Sequence, residues 1–107
     1  MTADTPIRDD RAALRNAIDS TDRELVRLLA DRRRLGEALG ALKAGESTPV
    51  RDVERERDVI ARAVKAGADQ GLDEGFVESL FQLIIDDSLR RQRAGLDARA
   101  DRMLTEA

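Results

Sequence analysis

The sequence predicts an all-α protein: a chain of three helices, long, short and medium, that pairs with a second copy into an intertwined homodimeric helical bundle. Three observations carry this expectation. Apolar residues recur at steps of four and three along the first 45 positions, the spacing that places side chains on one face of a helix. No segment shows the two-residue alternation of a half-buried strand. Breakers at Gly45 to Pro49, and again at Gly67 and Gly71, divide the chain into three.

The first helix is expected to start near Arg8 to Arg11 and run to about Ala44. Its seam reads Leu14, Ile18, Thr21, Leu25, Leu28, Arg32, Leu35, Leu39, Leu42, a stripe of the kind that packs against another helix. Gly45, polar Glu46, Ser47 and Thr48, and then Pro49 mark its end. About 35 residues at ~1.5 Å each give a rod of roughly 50 Å. A compact domain of this size has a radius of gyration near ~13 Å. The rest of the chain is too short to cover such a rod, so a second copy of the long helix is expected against it.

Asp52 is expected to cap the second helix, with Val53 and Glu54 opening it. Val53, Val59, Ile60, Ala63 and Val64 give a modest apolar face, and Gly67 and Gly71 are expected to end it. Asp73 is the expected N-cap of the third helix, whose apolar positions are Phe76, Val77, Leu80, Phe81, Leu83, Ile84, Ile85 and Leu89. Residues 1–107 are expected to form a single domain with a core at about 11–93. The tail, 94–107, is charged and weakly periodic, and the pattern leaves open whether it extends the third helix.

Composition narrows the chemistry. Hydrophobic residues make up 41% and charged residues 38%, which suits a soluble helical protein rather than a disordered one. Aromatic residues are 2%, without Tyr or Trp, so platforms for stacking single-stranded nucleic acid are missing. A net charge of −3 lacks the basic field of a duplex-binding module. No nucleic-acid partner is expected. There is no Cys and no His, which removes disulfides, thiolate nucleophiles, the commonest general base and the usual zinc ligands. No cofactor and no metal are expected. The opening residues carry no apolar signal region, and no apolar run approaches a membrane span. A cytoplasmic home is the expectation, permitted by the lack of disulfides.

Several polar residues stand where packing alone would place something else. Arg32 interrupts the apolar seam, and Lys43 closes it three turns later. A cation on a buried face needs an anion. Few acidic residues share that face, so a ligand is one source. Phe81, Ile85, Ser88 and Gln92 fall on one face of the third helix, and the last two continue that face with hydrogen-bonding groups. Arg55 and Glu56 lie in the first turn of the second helix, beside free backbone N–H groups. Arg15 and Arg32 are 17 residues apart, about 25 Å along a helix. If both serve one small ligand, Arg15 must come from the partner of an antiparallel dimer. Two arginines can grip two carboxylates in bidentate fashion. Lys43 and Gln92 can donate to an oxygen that gains charge, and Glu56 can accept from a hydroxyl. Each residue also has a structural reading. Arg32 can snorkel from a seam edge, Lys43 can complement the helix macrodipole, Arg55 and Glu56 sit in a charge run typical of a solvated face, and Ser88 and Gln92 can form a polar margin. Arg15 is one of many arginines on its helix.

The set resembles the all-helical chorismate mutases from about Ala13 to Leu96. The matching segments are Leu14-Arg15-Asn16-Ala17-Ile18-Asp19, Leu28-Leu29-Ala30-Asp31-Arg32-Arg33, Lys43, Pro49-Val50-Arg51-Asp52-Val53-Glu54-Arg55-Glu56, and Phe81-Gln82-Leu83-Ile84-Ile85-Asp86-Asp87-Ser88 with Gln92. Singly these are weak; in this order and spacing they are specific. The resemblance implies an intertwined dimer with two shared active sites and the cofactor-free rearrangement of chorismate to prephenate, on the path to Phe and Tyr. It implies that Arg15 of one subunit and Arg32 of the other hold the two carboxylates. Lys43 would bridge a carboxylate and the ether oxygen, with Gln92 as second donor. Glu56 and the backbone at Asp52 would bind the ring hydroxyl, and Arg55 and Ser88 would complete the carboxylate environment. Other readings on the same scaffold are isochorismate–pyruvate lyase, a mutase for the 4-amino-4-deoxy analogue, and a non-catalytic dimerisation module. Glu56 and Ser88 favour the mutase over the lyase. With 107 residues, no fused dehydratase, dehydrogenase or regulatory domain is expected.

Overall fold

The computed structural model describes residues 7–46 and 51–106. It contains three helices in chain order, α1 (Ile7–Gly45), α2 (Val53–Asp69) and α3 (Glu74–Glu106), and no strand among the described residues. The expected loop residues Ser47, Thr48 and Pro49, with Val50, lie outside the described residues. The chain divides into two compact units, one ending at Arg34 and one beginning at Leu35.

The first unit is the N-terminal part of α1. Its side chains are mostly exposed, and its polar face is laced by ion pairs: Arg27 donates to Glu24 and to Asp31 (2.8 Å), and Arg34 donates to Asp31. These join residues three and four apart, the neighbours on a helix surface. The hydrogen bond from Arg27 holds the Glu24 carboxyl below its ordinary value, and the Arg27 guanidinium is raised in turn. Thr21, the polar member of the seam, donates its hydroxyl to the Ala17 carbonyl at 2.8 Å, so it meets its own hydrogen-bonding need within the helix.

The second unit holds the end of α1 with α2 and α3. Both later helices begin as local chemistry dictates. Asp52 has an extended backbone (φ −122°) and accepts from the Arg55 N–H at 3.0 Å. Asp73 accepts from the Phe76 N–H at 2.9 Å. Each carboxylate satisfies one of the donors left over at a helix start. The end of α2 is a Schellman turn. Leu72 N–H donates to the Gly67 carbonyl (2.8 Å) and Gly71 N–H to the Ala68 carbonyl (3.0 Å), with Gly71 at φ +79°. Glycine suits that left-handed position because it has no Cβ.

One expectation at this turn needs correction. Gly67 does not end α2; it lies inside the helix and is buried. A Cβ there would fall 2.7 Å from Val77 Cγ2 and 3.5 Å from Leu72 Cβ. Gly67 therefore sits where the end of α2 comes close to the start of α3. Val77 and Ile85 form the buried centre of this joint, at 4% and 5% exposure. Val59, Ile60, Ala63 and Val64 of α2 and Phe81, Ile84 and Leu89 of α3 are half-buried. The tail extends α3 as helix as far as Glu106. Residues 101–104 are exposed, so that extension rests on its own backbone hydrogen bonds.

Candidate active site

The second unit brings the end of α1 against the middle of α3, and glycines make the approach possible. Gly36 and Gly40 are one turn apart on α1, and Ser88 and Gln92 are one turn apart on α3. A Cβ on Gly36 would lie 3.7 Å from Ser88 Oγ, an ordinary contact. A Cβ on Gly40 would lie 2.9 Å from Gln92 Cγ and 3.4 Å from its Cδ, which no packed side chain tolerates without moving. Lys43 is three residues beyond Gly40, on the same helical face, and is half-buried in the last turn of α1. Ser88 and Gln92 thus face the end of α1 that carries Lys43. Gly36 and Gly40 were not anticipated as part of this arrangement. Their signal is a pair of glycines four apart inside a helix, where each disfavours the helix by roughly 1 kcal/mol relative to Ala.

Gln92 is half-buried, and its Oε1 is buried without a hydrogen-bond partner. A buried acceptor without a donor is destabilising by about 1–3 kcal/mol. A half-turn of the amide would present Nε2 at the same point. A groove of about 400 Å³ opens beside Gln92 and Gly40, walled by Ala41, Ala44, Gly95 and Ala98. Lys43, Asp52, Arg55, Glu56 and Ser88 do not line it.

The start of α2 supplies a second group of candidates. Asp52 is the N-cap, and its side chain is taken up by the Arg55 N–H. Its carbonyl accepts the first helical bond, from Glu56 N–H at 3.0 Å. The Arg55 guanidinium points along its own helix to Asp58, with NH1 3.4 Å from Oδ2. Glu56 is held from outside the helix: Arg51 Nε lies 3.1 Å from Glu56 Oε2, and Arg51 NH2 lies 3.2 Å from Oε1. This is the two-pronged geometry that a planar guanidinium makes with a carboxylate. The Glu56 side chain is 13% exposed and that of Arg51 is 60% exposed. Arg51 sits in the alternating charge run of residues 51–58, so nothing in the pattern distinguished it. Arg15 and Arg32 belong to the first unit, Arg15 exposed and Arg32 half-buried.

The chain is similar to known proteins over most of its length. The family model for chorismate mutase type II matches residues 14–93. The bifunctional chorismate mutase/prephenate dehydratase of Escherichia coli K12 is 42% identical over 94 residues, which cover 88% of this chain and 23% of that protein. The protein of the same name from Buchnera aphidicola subsp. Baizongia pistaciae is 37% identical over 81 residues, 76% of this chain and 22% of its own length. The chorismate mutase of Methanocaldococcus jannaschii is 28% identical over 86 residues, 80% of this chain and 87% of that protein. The chain therefore spans about a quarter of the length of the bifunctional relatives. With its three helices, its paired glycines facing Ser88 and Gln92, and a match running from residue 14 to residue 93, the chain belongs to the chorismate mutase type II family.

Proposed function

We propose that the chain catalyses the rearrangement of chorismate to prephenate, as a homodimer with two sites shared between subunits. The observation that carries this reading is the family match over residues 14–93, a span that holds all eight candidate residues: Arg15, Arg32, Lys43, Asp52, Arg55, Glu56, Ser88 and Gln92. Residues 1–107 act as one functional domain with its core at about 11–93.

The reaction is unimolecular. It breaks a C–O bond and forms a C–C bond in one cyclic step, so it requires neither nucleophile nor proton transfer. Charge grows on the ether oxygen as the bond breaks, and preorganised donors favour that state over the ground state. Lys43 and Gln92 are those donors. The glycine approach at Gly40 fixes where the Gln92 amide sits, and its unpartnered buried oxygen suits a side chain whose amide awaits a bound molecule. Arg32, with Arg15 of the second subunit, clamps the two carboxylates and folds the flexible arm over the ring. Glu56 and the backbone at Asp52 receive the ring hydroxyl. Arg55 and Ser88 complete the polar wall.

Support for the dimer comes from α1. The apolar seam residues Leu14, Ile18, Leu25, Leu28, Leu35, Leu39 and Leu42 are between 46% and 72% exposed in the single chain. Exposed apolar surface of that extent marks an interaction face. A second α1 laid along it in the opposite sense brings Arg15 of one subunit toward Arg32 of the other.

The experiment is loss of chorismate absorbance with purified protein, followed by identification of the product. Prephenate is the expected product. Arg32→Ala is expected to lose at least about 10²-fold in rate while remaining a dimer, and Arg32→Lys to fail as well, because a point charge does not replace the planar fork. Gln92 donates without gaining or losing a proton, so the rate should vary little between about pH 6 and about pH 8. A folded dimer with no turnover would overturn the reading.

A further inference from the structure

We propose that Arg51 sets the selectivity of the site for a neutral hydroxyl, against an ammonium, at the ring position received by Glu56. The inference rests on the mutase reading above and concerns a residue to which that reading gives no part.

Arg51 precedes the N-cap Asp52, outside α2, and reaches back over the first turn. Its Nε and NH2 meet the two oxygens of Glu56 at 3.1 and 3.2 Å. The pair is lopsided: the carboxylate is mostly covered and the guanidinium mostly exposed. Ion pairs along the helix surfaces differ. Arg62–Asp58 and Arg90–Asp87 join residues four and three apart, and both partners are at least one-third exposed. Arg55, the nearer cation in sequence, is turned to Asp58. Arg51 is therefore the countercharge seated on both oxygens of Glu56.

A carboxylate has about four lone-pair sites, and the bidentate contact uses two of them. The others remain to accept a hydrogen bond. What Arg51 changes is the charge that a ligand meets. A neutral hydroxyl donates to Glu56 almost as well with the guanidinium behind it as without. An ammonium would be drawn to a bare carboxylate, but here it meets one already balanced by a permanent cation at close range. The arrangement thus admits the hydroxyl-bearing substrate and discounts the analogue with an amine in its place, a use of charge to reject a near-isostere.

The test measures kcat/KM of the 107-residue chain for chorismate and for the analogue bearing an amine in place of the ring hydroxyl. It compares wild type with Arg51→Gln and Arg51→Lys. Wild type is expected to prefer chorismate. In Arg51→Gln that preference should fall by about tenfold or more, through a lower KM for the amine substrate. Arg51→Lys keeps the charge without the fork and should fall between the two. A preference that stays within about twofold in both variants, with the proteins folded and active on chorismate, would overturn the proposal. Failure of the wild type on both substrates would instead overturn the mutase reading on which it stands. Should Arg51→Gln not fold, Arg51→Met removes the same charge and carries the comparison, and an unchanged preference there would overturn the proposal.

Discussion

The apolar seam of α1 and the joint between α2 and α3 are built from the same kinds of side chain and end in opposite states. At the joint, a buried glycine lets two helices approach until Val77 and Ile85 are almost wholly covered. Along α1, Leu28, Leu35 and their neighbours remain exposed. Fully burying one leucine is worth about 1.5–3 kcal/mol, so the seam forgoes stabilisation that the joint already has. The contrast separates two sources of order. Pairing of α2 with α3 is encoded within one chain, whereas the seam of α1 finds no cover there and, in the proposed dimer, is covered by a second copy.

Breaking the seam should have the largest effect. Leu28→Asp puts a charge into the proposed dimer face. Light scattering is expected to show a monomer, and turnover to fall at least about 10²-fold, because Arg15 of the second subunit is lost from each site. A monomer with full activity would sink the shared-site arrangement. At the joint, Gly67→Ala drives a methyl against Val77 Cγ2 and should be destabilising by about 1–3 kcal/mol in urea unfolding. Gly67→Ala combined with Val77→Ala should destabilise by less than the two separate losses added together. Additive losses would mean that the close approach is not what the glycine is for.

Gly40→Ala sharpens the same comparison from the active-site side. Its Cβ meets the flexible Gln92 side chain rather than a branched core residue, and the better helix propensity of Ala offsets part of the crowding, by up to ~1 kcal/mol. Stability should change little, while the rate falls about tenfold as the Gln92 amide is displaced. Equal losses of rate and stability would make Gly40 a packing residue only. The smallest effect belongs to the exposed pair Glu24–Arg27. Because the pair holds the Glu24 carboxyl below its ordinary value of 4.5, its contribution is present above that pH and is lost as acid titrates the folded carboxylate. Thermal melts of Glu24→Gln and wild type should therefore differ slightly near neutrality and converge in acid. A difference that grows on acidification would contradict the pairing.

What could be read in advance was chemistry local in the chain. Asp52 and Asp73 cap their helices as expected, since an N-cap needs only a carboxylate and an N–H three residues on. Gly71 ends α2 for an equally local reason, its positive φ. Gly67 was misread because a glycine near a helix end looks like a terminator, and its reason for being there, Val77, lies on another helix. The tail was undecidable by pattern: an exposed helical turn stabilised by its own backbone leaves no apolar period to detect. In the candidate site, Ser88 and Gln92 stood out as polar members of a core face. Gly36, Gly40 and Arg51 did not, because each acts through a partner that only folding supplies. Arg51 in particular differs from the other arginines of its charge run only in what its guanidinium faces.

The exposure of the α1 seam also bears on how such a protein behaves on dilution. If each site borrows Arg15 from a second chain, the number of working sites follows the concentration of dimer, not of chain. Specific activity should then fall as the protein is diluted through its dissociation constant. A ligand that binds only across the shared site should pull the equilibrium back by mass action. Substrate would in that case act as an assembly factor, and the progress curve of a very dilute sample would begin with a lag.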